Sequence, residues 1–310
     1  MSNHKLPPAG VQPQGTELFL DHIAHWLADA DAAAAALRAM GFTPTPFSEQ
    51  HQIDAKGELV PAGAGNRCVM LERGYLEFLT PLADTPIGTE LKAGISRYTG
   101  VHIGAFARAD TGAAYSYMCE IGIDMRPLAR LERQVEAIDG HEATARFTVA
   151  RPQRGQIAEG RIQMLTHHTP ELLWQRRYVE HDNGVTGLAG LLLGATSVTE
   201  AATRYGQLLQ RQPVARISGT SIRTEQGTLY LITERNARAL LGDAPIPTAP
   251  CMVSYVLQCT DLQTFLTAAQ DGGATLTART ANVGVVRLPE SLGASIIATE
   301  NDGDILDLLS

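Results

Sequence analysis

The chain has 310 residues, 44% of them hydrophobic and 19% charged, so it is long enough for about two domains with sizeable cores. Its formal charge of −8, with no run of lysine and arginine, argues against nucleic-acid binding, which needs a basic surface. The longest apolar run, Gly187–Ala195, is much shorter than a bilayer span, so no membrane partner is expected. The polar start of the chain has no signal-peptide pattern, which predicts a cytoplasmic protein.

Four segments begin with an apolar strand followed by a helix. The first strand covers 18–27, and an alanine-rich helix follows, which Asp29 or Asp31 can cap and Gly41 can end. The other three strand–helix pairs begin at Gly100, Gly187 and Cys251.

Each pair is followed by a closing strand with one recurring pattern: a glycine, five alternating residues and a threonine. The glycine permits the turn, and five alternating residues suit a short, half-buried strand. The chain therefore contains four βαβββ units. Their closing strands lie at Gly74–Thr80, Gly160–Thr166, Gly227–Thr233 and Gly293–Thr299.

One such unit cannot bury both faces of its sheet, because its helix covers only one of them. The sequence therefore predicts an α+β fold of four βαβββ units, arranged as two paired-unit curved-sheet (half-barrel) domains. The predicted divisions are a flexible tail at 1–16, an N-terminal pair of units at 17–183 and a C-terminal pair at 184–310.

This organisation resembles the vicinal oxygen chelate superfamily, which includes glyoxalases, bleomycin-resistance proteins and extradiol dioxygenases. The stretch LDHIAHWLADADAAAAALRAMGF at 20–42 resembles the opening strand and helix of that superfamily. HHTPELLW at 167–174 and EHDNG at 180–184 resemble its glyoxalase-like branch. The third and fourth units match in pattern only.

The resemblance implies metal ligands on the first and closing strands of paired units. They would be His22 and Glu77 from the first unit and His102 and Gln163 from the second. Alternation along the strands favours one shared cavity for the four groups. Two imidazoles and a carboxylate suit one divalent ion, Zn, Mn, Ni, Co or Fe, with open positions for water and substrate. In the alternative interpretation, the histidines are core residues and Glu77 is a rim charge.

Further residues are candidates for contacts with the substrate. Glu77 and His167 are candidate acid–base groups, although His167 could also face solvent just beyond its strand. Trp26, Tyr75 and Phe106 could stack on a substrate or simply pack in the core. Arg161 could pair with a substrate carboxylate or form a surface salt bridge.

The C-terminal pair is predicted to be degenerate and structural. Tyr230 and Ile296 stand there in place of Glu77, and apolar or small residues stand in place of His22.

Three functions follow from these features. The first is a metal-dependent isomerase, lyase or epimerase that acts on a small oxygen-chelating substrate in the N-terminal cavity. The second is an Fe(II) extradiol-type dioxygenase. The third is a non-catalytic protein that binds or sequesters a small molecule. A homodimer is common in this fold, and four units also permit a monomer.

Overall fold

The computed structural model describes residues 10–54, 56–301 and 303–308, which form sixteen β-strands and eight α-helices. The first half contains β1 (Phe19–Trp26), α1 (Ala30–Ala39), β2 (Ser48–Ile53), β3 (Leu59–Met70), β4 (Tyr75–Pro81), α2 (Pro86–Arg97), β5 (Gly100–Ala107), α3 (Thr111–Glu120), β6 (Ala129–Glu136), β7 (Glu142–Ala150), β8 (Arg161–His167) and α4 (Arg176–Val179). The second half contains β9 (Val185–Gly194), α5 (Val198–Leu209), β10 (Pro213–Arg216), β11 (Gly219–Arg223), β12 (Thr228–Ile232), α6 (Glu234–Leu241), β13 (Cys251–Cys259), α7 (Leu262–Asp271), β14 (Thr275–Arg279), β15 (Val283–Arg287), β16 (Ser295–Thr299) and α8 (Ile305–Leu308).

The four predicted units are present, and the α+β fold class is confirmed. In every unit the closing strand pairs in parallel with the first strand: β4 with β1, β8 with β5, β12 with β9 and β16 with β13. Within each half the two first strands pair antiparallel, β1 with β5 and β9 with β13. Each half is therefore a pair of units joined through their first strands.

The first sheet closes into a barrel with the strand order β1-β4-β3-β2-β6-β7-β8-β5. A short antiparallel contact between β2 and β6, which pairs His51 with Glu132 and Gln52 with Leu131, completes the ring. The sequence predicted a half-barrel here. The closing contact joins outer strands of different units, and such a long-range pairing leaves no local sequence pattern.

Helix α1 covers the outside of the barrel as its sequence predicts. The side chain of Asp29 caps the helix, accepting hydrogen bonds from the backbone nitrogens of Asp31 and Ala32 at 2.9 Å. Ala33 and Leu37 are buried on the face that turns toward the core. The helix packs against β3 and against β4, the strand that carries Glu77.

The second sheet stays open, with the order β10-β11-β12-β9-β13-β16-β15-β14. Apolar side chains from its strands and from α6 and α8 form one buried cluster. Tyr230, at the position that corresponds to Glu77, belongs to this cluster, and its hydroxyl accepts a hydrogen bond from the backbone nitrogen of Ile305 at 3.3 Å. The position that carries a carboxylate in the first half therefore anchors the C-terminal helix in the second.

The two halves share one core and several backbone hydrogen bonds. Leucine, isoleucine and phenylalanine side chains from both sheets belong to a single buried cluster. The backbone nitrogen of Leu20 donates to the carbonyl oxygen of Gln226 at 2.6 Å, and that of Leu188 donates to the carbonyl oxygen of Arg73 at 2.9 Å. The position of each half is thus fixed by both apolar packing and main-chain bonds.

Gly293 marks a very close approach of the two halves, which leads to a prediction. Its φ is +62°, and a Cβ atom there would lie 2.1 Å from the carbonyl oxygen of Thr99. Gly140 also has a positive φ, +88°, but has open space around it. We expect Gly293→Ala to lower the free energy of unfolding by about 1–3 kcal/mol more than Gly140→Ala, because only the first change adds a clash to backbone strain. Equal urea midpoints for the two variants would contradict this.

The predicted tail at 1–16 is only partly within the described residues, since 1–9 lie outside them. Residues 10–16 contact the folded chain: Gly10 is buried against Trp174, and the carbonyl oxygen of Thr16 accepts hydrogen bonds from Arg108 and Arg211. Among the described helices, none has both the length and the apolar character needed to cross a bilayer.

Candidate active site in the barrel

A bulge in β1 brings two histidines together around one carboxylate. The pairing of β1 with β5 shifts register between Leu20 and His22, so Asp21 is the extra residue. Its Oδ2 accepts a hydrogen bond from His22 Nδ1 at 2.7 Å, and its Oδ1 accepts one from His167 Nε2 at 2.9 Å. All three side chains are buried.

The charge of Asp21 determines which ring nitrogen of His22 carries a hydrogen atom. Burial alone would raise the pKa of Asp21, but the charge and hydrogen bonds of His167 and His22 hold that pKa well below its usual value. The ionised carboxylate therefore accepts a hydrogen bond from the Nδ1–H group of His22, which leaves the Nε2 lone pair directed away from Asp21. Tyr75 stacks on the imidazole at 4.4 Å and holds the plane of the ring.

His22 Nε2 faces a polar group on each of two closing strands. Gln163 on β8 places its amide nitrogen 3.3 Å from Nε2, and Glu77 on β4 places Oε2 3.9 Å from it. The other oxygen of Glu77 accepts hydrogen bonds from the side-chain amides of Asn66 and Gln50. These two hydrogen bonds fix the position of the Glu77 carboxyl group beside the imidazole.

Three guanidiniums border the same cavity, those of Arg133, Arg151 and Arg161. Arg133 donates to the side-chain oxygen of Asn66 at 3.1 Å, and Arg151 Nε donates to Gln163 Oε1 at 3.2 Å. Burial and the positive charges of Arg161 and nearby Arg126 lower the pKa of Arg151 to about 9. The cavity has a volume of about 80 Å³, below the usual range of about 300–1,000 Å³ for drug-sized ligands. Its walls include His22, Tyr75, Glu77, Arg133, Arg151 and Gln163.

His102, the second imidazole of the predicted metal set, lies elsewhere. Its Nε2 donates to the carbonyl oxygen of Tyr98 at 2.9 Å, and its ring stacks on Trp26 at 4.5 Å. Trp26 is four residues beyond His22 on β1, or about 13 Å away at about 3.3 Å per residue of strand. The structure therefore does not bring His102 together with His22 and Glu77.

The strand register explains this placement. Ala24 pairs with Glu77, and Ala105 pairs with Gln163, so these two pairs occupy equivalent positions in the two units. Tyr75 pairs with His22, and its equivalent, Arg161, pairs with Ile103. Ile103, not His102, is therefore the equivalent of His22, and the predicted alignment was shifted by one residue. Such a shift moves a side chain to the other face of the strand.

The amino-acid sequence of this barrel and of the beginning of the second sheet identifies its relatives. Residues 20–209 match the model of a family described as the glyoxalase-like domain. The chain belongs to this glyoxalase-like domain family. The predicted resemblance to the vicinal oxygen chelate superfamily is thereby confirmed, and solved structures of that type agree with it. None of the curated proteins matches the chain in sequence.

Solved structures similar to this glyoxalase-like chain cover almost all of it. A hypothetical protein from Staphylococcus aureus is 9% identical with a TM-score of 0.61, covering 91% of this chain and 98% of that one. A variant of 4-hydroxymandelate synthase from Streptomyces coelicolor is 12% identical, with a TM-score of 0.55 and coverages of 93% and 94%. The Mn(II)-bound glyoxalase from Novosphingobium aromaticivorans is 11% identical, with a TM-score of 0.53 and coverages of 92% and 81%. These identities show a shared fold alone.

The donors in this glyoxalase-like cavity do not fit the predicted metal set. Among the described residues, no group of three or more His, Cys, Asp and Glu side chains is placed to hold a metal ion. Ile103 supplies no donor at the fourth position, and Gln163 turns its oxygen to Arg151 and its nitrogen to His22. Rotating that amide would place its NH₂ group against the guanidinium of Arg151. Both groups are hydrogen-bond donors, so the contact would be unfavourable. Of the four predicted ligands, His22 and Glu77 are the two whose nitrogen and oxygen atoms approach each other, at 3.9 Å.

The other predicted site residues are distributed over several places. Tyr75 lines the cavity, whereas Phe106 belongs to the core outside the barrel because Ile103 and Ala105 take the inward positions of β5. His167 was predicted at the cavity mouth, but its side chain is fully buried, and it meets the site through Asp21. Arg161 borders the cavity, and its guanidinium is already paired with Glu90 at 2.5 Å.

Several residues of the site were missed by the sequence reasoning. Asp21 directly precedes His22, and an acidic residue next to a candidate base is a signal that could have been used. Arg133 on β6 and Arg151 just after β7 belong to no motif. Their role depends on the closure of the barrel, which brings the outer strands over the cavity.

Two buried histidines outside the cavity predict a loss of stability in acid. Burial lowers the pKa of both His25 and His102 to about 4, from 6.5. Between those values the unfolded chain binds protons that the folded chain does not, so stability is complete above pH 6.5 and decreases as the pH falls toward 4. At pH 5 each histidine contributes a loss of about 2 kcal/mol.

Urea unfolding at pH 7 and pH 5 measures this loss. The slope with pH should become smaller in His102→Gln, because glutamine does not titrate. An unchanged slope in that variant would mean that other groups cause the acid sensitivity.

Proposed function

We propose that this glyoxalase-like protein is an enzyme of the isomerase, lyase or epimerase type, which moves a proton on a small anionic substrate inside the barrel. One observation supports it above all others. His22 is held by Asp21 through Nδ1, and its Nε2 faces a cavity that also contains Glu77 and the guanidiniums of Arg133 and Arg151.

His22 is the base in this proposal. Its Nε2 lone pair takes a proton from the substrate, and the charge of Asp21 stabilises the imidazolium that forms. Glu77, 3.9 Å from that nitrogen, is the second group able to carry the proton or return it at another carbon. A hydrogen next to a carbonyl group is the one that bases of this strength remove, since the product is a resonance-stabilised enolate.

The guanidiniums supply the matching positive charge. Arg133 and Arg151 face one side of the cavity and can bind a carboxylate or stabilise an enolate oxygen. Because arginine keeps its charge and presents several N–H groups in one plane, it suits planar oxyanions. The small cavity volume favours a substrate of few atoms, such as a short oxo acid.

A second candidate is the metal-dependent form of the same reaction. It is supported by the approach of His22 Nε2 to Glu77 and by the Mn(II)-bound glyoxalase among the similar structures. The ion would be one of Zn, Mn, Ni, Co or Fe, with two protein donors and the rest from water or substrate.

The other two predicted functions have less support from the geometry. An extradiol-type dioxygenase would need His102 beside His22 and Glu77, and His102 instead stacks on Trp26. A sequestering protein would stack Trp26, Tyr75 and Phe106 on its ligand. Of these three residues, Tyr75 alone lines this cavity.

Exchange of substrate hydrogens with solvent tests the proposal. The protein is incubated in D₂O with pyruvate and other short oxo acids, and proton NMR follows the signal of the hydrogens next to the carbonyl. We expect at least one acid to exchange faster with the protein than in buffer with free imidazole. Oxo acids that bind tightly without any exchange would contradict the proposal and favour the sequestering function.

A further inference from the structure

A second pocket lies at the end of the barrel, beside the candidate active site. It has a volume of about 350 Å³ and is lined by α2 and by the segment that precedes β8. His102 and Trp26, which do not line the smaller cavity, form part of its wall. Arg161 lines both spaces, so the two are neighbours.

Positive charge dominates this second pocket. Four guanidiniums line it, and Glu90 is the one carboxylate among its described lining residues. Glu90 already receives contacts from three of the four, at 2.5 Å from Arg161, 2.8 Å from Arg154 and 3.3 Å from Arg126. The fourth, Arg97, is exposed at the end of α2. In a chain with a formal charge of −8, this excess of cations is a local feature and not an effect of composition.

The electrostatics of the cluster favour a further anion. Burial by itself would raise the pKa of Glu90, but Arg161 and Arg126 lower it to about 2, so this carboxylate is charged. The single negative charge of Glu90 cannot compensate the four positive charges that line the pocket. Like charges that are partly buried repel each other strongly, and a bound anion relieves that repulsion.

The inner wall of the pocket is flat and aromatic. Trp26 is stacked between the imidazole of His102, at 4.5 Å, and the guanidinium of Arg161, whose Cζ lies 5.2 Å from the ring centre. These stacked planes hold Arg161 in place. Arg97 and Arg154, by contrast, are exposed. The guanidinium of Arg97 lies over the ring of Tyr98, and that of Arg154 donates to Glu90 and to the carbonyl oxygen of Pro86.

We propose that this pocket is a binding site for an oxyanion, the phosphate or carboxylate group of a small molecule, held by Arg97, Arg154 and Arg126. Guanidiniums bind phosphate and carboxylate groups alike, through paired N–H donors. The experiment therefore tests the two anions separately. The site is distinct from the barrel cavity, and its occupation does not depend on the proposed reaction.

Isothermal titration with inorganic phosphate and, separately, with acetate tests this proposal at constant ionic strength, with chloride as the background anion. We expect one of the two anions to bind, and the double variant Arg97→Gln/Arg154→Gln to weaken its binding at least tenfold. The double variant should fold normally, because Glu90 keeps its contacts with Arg126 and Arg161. Stronger binding of phosphate identifies a phosphoryl ligand, and stronger binding of acetate identifies a carboxylate ligand.

A matched variant locates the effect. Arg238→Gln removes an exposed arginine that is paired with Glu234 on α6 and lines neither site, and should bind as tightly as the unchanged protein. Failure of both anions to bind, or a loss in Arg238→Gln as large as in the double variant, would overturn the proposal.

Discussion

Replacing His22 with alanine is expected to lower the rate of hydrogen exchange on the reactive oxo acid by about 10²-fold to 10⁴-fold, the usual contribution of a positioned general base. The reason lies in the geometry of one nitrogen. His22 Nε2 faces the cavity with its lone pair, and Asp21 holds the opposite nitrogen of the ring. Alanine removes the acceptor of the proton and leaves the guanidiniums in place, so binding of the acid should change less than its exchange.

The comparison for this variant is His168→Ala. His168 is exposed, lies just beyond β8, and is hydrogen bonded to the hydroxyl of Thr148 at 2.8 Å. Its replacement should leave exchange unchanged in the same NMR assay. If His22→Ala folds and exchanges as fast as the unchanged protein, His22 is not the base.

Replacing Asp21 with alanine is expected to give the largest loss of stability among single changes in the site, about 3–5 kcal/mol in the free energy of unfolding. The change leaves two buried imidazoles, those of His22 and His167, each without its carboxylate partner. A buried donor without a partner loses the hydrogen bond it would make to water in the unfolded chain. Exchange activity should fall as well, because the His22 ring loses its fixed tautomer.

Acid should reduce this difference between Asp21→Ala and the unchanged protein. The pKa of Asp21 is lowered in the folded chain, so its contribution is complete above its unfolded pKa, near 3.8, and is lost progressively as the pH falls from that value toward the much lower folded pKa. Urea unfolding at pH 7 and near pH 3 measures the full difference and its partial loss.

An exposed pair provides the control for Asp21. Asp139 and His141 form the same kind of contact on the surface, where water can replace either partner. Asp139→Ala should leave the urea midpoint almost unchanged. If Asp21→Ala and Asp139→Ala lower the stability by similar amounts, the contribution of Asp21 to stability does not come from its burial between the two histidines.

The repeating units could be predicted because the strands and helices of each unit are encoded by local sequence patterns. An alternating strand after a glycine, and an alanine-rich helix with Asp29 at its start, are local patterns with local causes. The two strands predicted at Gly100 and Cys251 begin at those residues in the structure. His22 and Glu77 followed from the resemblance and do share a cavity with Gln163.

The position of His102 could not be predicted because it depends on the register between β1 and β5. Sequence patterns cannot reveal a bulge, and β5 has one at His102, between the pairs Ala24–Ile103 and His25–Val101. One extra residue changed which side chain corresponds to His22 and removed one ligand from the predicted set. The position of α2, which supplies Glu90 and Arg97 to the second pocket, likewise depends on how the first unit connects to the second.

The most direct test of the account is hydrogen exchange by protein whose metal content is known. The protein is purified without a metal-binding tag, treated with a chelator, and analysed for metals before the oxo-acid assay in D₂O. We predict that exchange continues at an undiminished rate with less than one ion per ten chains, and that it disappears in His22→Ala. Exchange that stops after chelation and returns with one Mn or Zn ion per chain would contradict the account and establish the metal-dependent form.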